Sequence, residues 1–250
     1  MKKRLVFVLG ILLLAAGLVW SGGAGEKEKE VILVGTSAGF RPFEYKEFGT
    51  LTGFDIDLMN EIGAKLGKEV EFKDMDFDAL LEALNAGTVD VIASGMTIYD
   101  ERKERADFTV PYFTANQAAL VKKGSGIVLS SVEDLNNAKF KIGVQNDTTG
   151  AFWVEDNAPD VTLQKYGKYI ECIQDLENGN IDIIVVDQPV AEAFAVNRPV
   201  VIALPIITNE QYGLALQKGS SLYEPVNNAL KELMASPKWD ELLDKYFGAK

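Results

Sequence analysis

The sequence predicts an α/β protein folded as two lobes, each a sheet flanked by helices, joined by two crossover segments. Three observations predict it. Short apolar, β-branched runs alternate with helix-patterned segments over residues 31–93; a similar order returns over 139–196; and Leu84-Asn-Ala-Gly-Thr-Val-Asp-Val-Ile92 echoes Leu176-Glu-Asn-Gly-Asn-Ile-Asp-Ile-Ile184. Strand–helix–strand alternation requires parallel pairing, because the helix carries the chain back over the sheet. The echo is short and reads as shared architecture, not as proof of duplication.

Ahead of the first lobe, Met1-Lys-Lys-Arg4, the uncharged run Leu5 to Trp20 and the small residues Ser21 to Gly25 have the three-part build of a secretory signal peptide. It is expected over 1–24. The apolar run is shorter than the roughly 20 residues that cross a bilayer. No cysteine lies near the cleavage zone, so the usual bacterial lipid attachment is not expected; uncleaved anchoring stays open. Glu26-Lys-Glu-Lys-Glu30 alternates in sign without an apolar residue and reads as a solvated tether over 25–30.

The first lobe is expected over 31–114 and 211–250. Val31 to Thr36 is a buried strand, and Ser37 to Thr52 an aromatic-rich loop. A helix from Gly53-Phe54 to about Gly67 puts Phe54, Leu58, Ile62 and Leu66 on one face. Glu69 to Phe72 is a strand, Phe77 to Asn85 a helix closed by Gly87, and Val89 to Ala93 a strand. The second lobe, 115–210, is expected to carry strands over 139–145, 161–165 and 181–186, and helices over 149–157, 169–178 and 189–196. Thr114 to Gln117 would be one crossover and Ile206 to Gln211 the return, after which Tyr212 to Leu216 and a terminal helix rejoin the first lobe.

Composition removes several chemistries. A net charge of −12 with no histidine argues against nucleic acid and anionic membrane surfaces as partners. Without histidine there is no Ser-His-Asp or Cys-His pair, and the single Cys172 cannot form an internal disulfide. Cys172 reads as a buried helix residue. Asp74-Met-Asp-Phe-Asp78 has the first spacing of a calcium loop, but Ala79 and Asn85 stand where that loop needs Gly and Glu. No cofactor and no metal site is expected.

Open α/β sheets bind ligands at the carboxyl ends of their strands, and two facing sheets make a cleft. Ser37, Ser94 to Thr97, Gln145 to Thr149 and Asp187 fall at such ends. The stretch Val89 to Arg102 is the most informative of these. A buried strand stops at Ser94-Gly95, Thr97 and Asp100 are candidate caps for a short helix, and Arg102 follows. Hydroxyl and amide donors with a guanidinium fork suit a bound carboxylate. The same residues also fit an ordinary strand-to-helix turn whose Arg lies in solvent.

The ordered set of motifs resembles the polar amino-acid-binding proteins of bacterial ABC importers, solute-binding protein family 3, with the periplasmic-binding type II fold. It comprises Arg41-Pro-Phe-Glu-Tyr45, Gly53-Phe-Asp-Ile-Asp-Leu58, Asp76-Phe-Asp-Ala-Leu80, Gly95-Met-Thr-Ile-Tyr-Asp-Glu-Arg102, Phe108-Thr-Val-Pro-Tyr-Phe113, Ile142-Gly-Val-Gln145 with Thr148-Thr149, and Val186-Asp187. The resemblance implies that Arg102 clamps a ligand α-carboxylate, helped by Thr97 and Thr149. It places Asp187, with the Gly95 carbonyl and Ser94, at the α-ammonium, although Asp187 also fits a helix N-cap before Pro189. Phe40 and Phe77 resemble the aromatic pair around the ligand side chain; core packing is their alternative. Ser37 stands where several members carry a carboxylate, Asp147 replaces a frequent glycine, and Tyr99 is bulkier than usual. Glu44, Gln117 and Gln145 are candidates for the side-chain contacts. The implied protein is a monomer outside the cytoplasm that hands a glutamine-like or basic L-amino acid to a membrane permease. An enzyme on this fold that eliminates water or carbon dioxide from small acids, like a cyclohexadienyl dehydratase, and a ligand-sensing module are the alternatives.

Overall fold

The computed structural model describes residues 30–248; the expected signal peptide and all but the last residue of the expected tether lie outside the described residues. The chain opens with β1 (Val31–Thr36), then a hairpin of β2 (Tyr45–Glu47) and β3 (Thr50–Thr52) inside the segment expected to be loop. Helix α1 (Phe54–Leu66) buries Phe54, Leu58 and Ile62 and ends at Gly67, whose left-handed φ of 64° returns the chain toward β4 (Glu69–Asp74). A 3-10 turn (Phe77–Ala79) runs into α2 (Leu80–Asn85), and β5 (Val91–Ile92), α3 (Asp100–Lys103) and β6 (Ala106–Phe108) follow.

Next comes β7 (Phe113–Lys122), a ten-residue strand. The second α/β unit is β8 (Lys141–Gln145), α4 (Thr149–Asn157), β9 (Thr162–Tyr166), α5 (Tyr169–Asn178), β10 (Ile183–Asp187) and α6 (Gln188–Asn197). The chain returns through β11 (Val200–Tyr212) and β12 (Ala215–Gln217) to α7 (Tyr223–Met234) and α8 (Pro237–Phe247). The expected terminal helix is thus two helices. They part at Ser236-Pro237, where proline has no N–H to continue the ladder and sits at a helix start.

The strands form two five-stranded sheets, ordered β4-β1-β5-β12-β6 and β11-β7-β10-β8-β9. In the first, β1 pairs in parallel with β4 and β5, while β12 lies antiparallel between β5 and β6. In the second, β8 pairs in parallel with β9 and β10, and β7 runs antiparallel to β10 and β11. This is the two-lobed type II arrangement. The segments expected as crossovers, 114–117 and 206–211, lie side by side within the β7–β11 ribbon, with Gln117 opposite Ile206 and Ala115 opposite Glu210. The long strands β7 and β11 escape sequence pattern because the alternation breaks: the register shifts between Ile202 and Leu204 and again between Ile206 and Glu210.

One expectation about the central stretch fails. Neither Thr97 nor Asp100 caps α3: its N-cap is Tyr99, with no side-chain capping bond, and Asp100 is already helical. The Thr97 hydroxyl instead leaves its own lobe's backbone and bonds Glu210 at 3.0 Å.

Candidate functional site

The first lobe supplies a turn braced from behind. After β5 the chain passes through Ser94-Gly95, both buried or glycine, and each is held by a buried acid. The Ser94 hydroxyl donates to Glu44 Oε1 at 2.7 Å and accepts the Ser37 amide at 3.0 Å. The Gly95 amide donates to Asp55 Oδ2 at 2.7 Å, and Asp55, fully buried on α1, also accepts the Tyr112 hydroxyl at 2.8 Å. Gly95 has φ +48°, and a Cβ there would stand 2.7 Å from Cε1 of Phe40. Glycine is therefore required twice over, by backbone conformation and by the aromatic ring laid on the turn.

Arg102 projects from α3 with only 6% of its surface exposed, far from the solvent-exposed alternative. It donates Nη1 to the Thr97 carbonyl at 3.0 Å and Nη2 to the Asp147 carbonyl of the other lobe. Its Cζ lies 5.2 Å from the centre of the Phe77 ring. Two of the five N–H donors of the fork are thus spent on backbone. Burial pulls Arg102 down to about 10, against the opposing pull of Glu210, Asp147 and Asp187, so it remains a cation at neutral pH.

The second lobe contributes two strand ends. Beyond β8, Gln145 donates to the Gly167 carbonyl at 2.8 Å and reaches Ser37 Oγ at 3.4 Å. Asp147 takes a positive φ of 56°, the region glycine enters most freely, which accounts for the glycine frequent there in the resembling family. Thr148 caps α4 by accepting the Ala151 amide and donating to the Gln145 carbonyl. At the end of β10, Asp187 occupies the N-cap position of α6 without making a capping bond; its Oδ1 accepts Gln117 Nε2 at 2.9 Å. The helix-cap alternative for its side chain is therefore not realised.

Phe40, Glu44, Phe77, Ser94, Gly95, Thr97, Arg102, Gln145, Thr149 and Asp187 line one cavity between the lobes, together with Thr148. Ser37 does not line it; its amide holds Ser94 from behind. Phe40 stacks on Tyr169 with centroids 5.7 Å apart, and Phe77 lies under Arg102. The bulky Tyr99 stacks on Phe152 of the other lobe at 5.7 Å, outside this cavity.

The cavity is electrostatically lopsided. Burial drives Glu44 well above the usual carboxylate range, reinforced by Asp55, and its Oε2 has no hydrogen-bond partner. Asp187 is also pushed up by burial and by Glu210, with Arg102 pulling the other way. Asp55 is raised to about 6 by burial, against the bonds it accepts. Among the described residues no group of three or more His, Cys, Asp or Glu side chains is arranged to hold a metal ion. In the run with calcium-like spacing, Asp74 is occupied by Lys46 and Lys168 at 2.7 and 2.6 Å.

Two residues that sequence reasoning left out of the site, Asp55 and Glu210, belong to its frame, beside Thr148 and Gln117. Thr148 had a legible signal, a hydroxyl residue just before a helix pattern. Gln117, a candidate side-chain contact in the sequence, donates to Asp187 and Glu210 from outside the cavity lining. Glu210, on the return crossover, accepts both Thr97 and Thr149 and had no signal of its own.

A profile of bacterial extracellular solute-binding proteins, family 3, matches residues 32–249. A probable histidine-binding protein of Neisseria gonorrhoeae is 35% identical over 262 residues, covering 99% of this chain and 96% of the relative. An arginine-binding extracellular protein, ArtP, of Bacillus subtilis is 32% identical, covering 99% and 98%. Among solved structures, an ancestral arginine-binding protein bound to glutamine superimposes with a TM-score of 0.84 at 42% identity, covering 88% of this chain and 99% of that one.

Proposed function

The chain belongs to the bacterial extracellular solute-binding proteins, family 3, and from that premise we propose that its ligand is a basic L-amino acid, held between the lobes. It is an amino-acid-binding protein of an ABC importer, not an enzyme, and works outside the cytoplasm. The leader expected over 1–24 would carry it there. We expect it to act as a monomer, with no nucleic-acid partner for a chain of charge −12.

Charge balance supports the basic ligand. The cavity lining carries one guanidinium, Arg102, and two carboxylates, Glu44 and Asp187. Buried charge is tolerated when it is paired. A ligand α-carboxylate on Arg102 and an α-ammonium on Asp187 leave one acid over, and a cationic side chain would neutralise it. The observation that carries this is the unpartnered Oε2 of the buried Glu44. Phe40 and Phe77 offer flat faces for a guanidinium. Glutamine is the second reading, because a Glu44 carboxyl held protonated by its burial is a hydrogen-bond donor suited to an amide oxygen.

Thermal denaturation against the twenty L-amino acids tests both, since a ligand that binds only the native state raises its melting temperature. Arginine is expected to give the largest rise, with lysine and histidine behind. In Glu44→Gln the arginine shift should collapse and the glutamine shift persist. A wild-type ranking led by a neutral amino acid would overturn the basic reading.

A further inference from the structure

We propose that Glu210 is a positioning residue that biases the two lobes toward closure, a carboxylate on the return crossover shared by hydroxyls from both sides of the cleft. Its Oε2 accepts Thr97 Oγ1 at 3.0 Å and Thr149 Oγ1, while its Oε1 accepts Gln117 Nε2 at 3.1 Å. Thr97 follows β5 in the first lobe. Thr149 opens α4 in the second, and Gln117 lies on the outgoing crossover. One oxygen therefore gathers donors from two lobes, whose hydroxyl oxygens stand 3.5 Å apart.

That convergence exists only while the lobes are together. Separation draws Thr97 away from Thr149, and a single carboxylate oxygen cannot follow both. The bonds thus differ between closed and open arrangements, which is the requirement for shifting an equilibrium between them. Two other cross-lobe contacts, Lys168 to Asp74 at 2.6 Å and Asn146 to Asp78 at 3.1 Å, involve more exposed partners at the rim, where solvent weakens them; Arg102 to the Asp147 carbonyl and Gln145 to Ser37 also bridge the lobes, each as a single bond. Glu210 acts against the buried site itself, beside Arg102 and Asp187.

A second consequence concerns the two threonines. Each hydroxyl has one proton, and both are directed to Glu210. A ligand carboxylate would then rely on the remaining donors of Arg102, and Thr97 and Thr149 would serve closure more than ligand contact. Because the closed arrangement is favoured before any ligand arrives, Glu210 strengthens the binding of every ligand by a common factor.

The inference rests on the proposed function only for its affinity arm. Small-angle scattering on the full chain, stripped of ligand, is expected to give a larger radius of gyration for Glu210→Ala than for wild type. Saturating arginine should bring the two to the same value. By calorimetry, affinity should fall about tenfold, the order of one charge-assisted hydrogen bond, for arginine and for its decarboxylated analogue agmatine alike. Glu210→Gln, which keeps the size and one acceptor oxygen, should fall between; it also carries the scattering test if the alanine variant does not fold. Equal radii for the stripped proteins would overturn the proposal. So would tighter binding by the variant, or a loss confined to arginine. If no amino acid binds either protein, the proposed function fails, while the scattering comparison still decides the role of Glu210.

Discussion

Asp187 illustrates how a single residue keeps two readings until its side chain is located. In the sequence it precedes Gln188-Pro189 and fits a helix N-cap; in the structure it holds that position but turns its carboxylate into the cavity, toward Gln117. A charged acceptor there, with Arg102 across the site, separates the two ends of a zwitterion. Asp187→Asn is therefore expected to weaken binding of the cognate amino acid by 2 kcal/mol or more, the usual order (about 2–5 kcal/mol) for breaking a buried charge pair. The deaminated analogue, lacking the ammonium, should lose much less. Calorimetry of both ligands on both proteins checks this, and equal losses would remove Asp187 from ammonium recognition. Asp187 and Ser94 were legible because they end apolar strands, and Arg102 because it follows the Ser94-Gly95 turn in a short helix pattern. Glu210 was not, because the register shift between Ile206 and Glu210 sets the direction of its side chain, and no local pattern announces such a shift.

The same contrast holds for whole elements. α4 and α5 were readable to the residue: hydroxyl cap and apolar spacing mark the first, and a C-terminal Gly179 with a left-handed φ of 77° closes the second. The β2–β3 hairpin and the long strands β7 and β11 were not. β2 and β3 have three residues each, too few to set an alternation; β7 is buried on both faces along most of its length, and the β11 register shifts twice. α3 has four residues and no side-chain cap, so Arg102 depends on tertiary bonds for its placement. At α4 the cap can be tested alone. Thr148 accepts the Ala151 amide at 3.2 Å and ties the helix start to Gln145. Thr148→Ala should cost roughly 1 kcal/mol of stability, within the ~0.5–2 kcal/mol range of lost N-caps, measured by urea unfolding. Thr148→Ser should recover most of it. A cost near zero in Thr148→Ala would mean that strand packing alone fixes the turn.

At the scale of the molecule, the unusual feature is acid held in the dark. Glu44, Asp55 and Asp187 are each at most 5% exposed, and Arg102 is the one cation in the cavity lining among the described residues. Asp55, raised to about 6, favours folding while protonated. Its contribution is fully present below about pH 4, the ordinary aspartate value, and is lost as pH rises to about 6. Such a fold gives up stability near neutrality to keep a site of negative charge, which makes sense if the ligand returns the compensation. Burial holds Glu44 above its ordinary range, so in the unliganded protein it takes up a proton readily. A guanidinium needs the ionised form and must expel that proton; an amide oxygen prefers the protonated one. Asp187 meets the α-ammonium of either ligand, so its titration cancels in their ratio. The ratio of arginine to glutamine affinity should therefore rise with pH, starting where Glu44 ionises beside the guanidinium and levelling once Glu44 is ionised beside the amide as well, because the unliganded protein is common to both affinities. Calorimetry in buffers of different ionisation heat should find protons released on arginine binding across that window, and none in Glu44→Gln. A pH-independent ratio in the wild type would mean that Glu44 meets neither side chain, and that the specificity of the cleft lies in its aromatic walls.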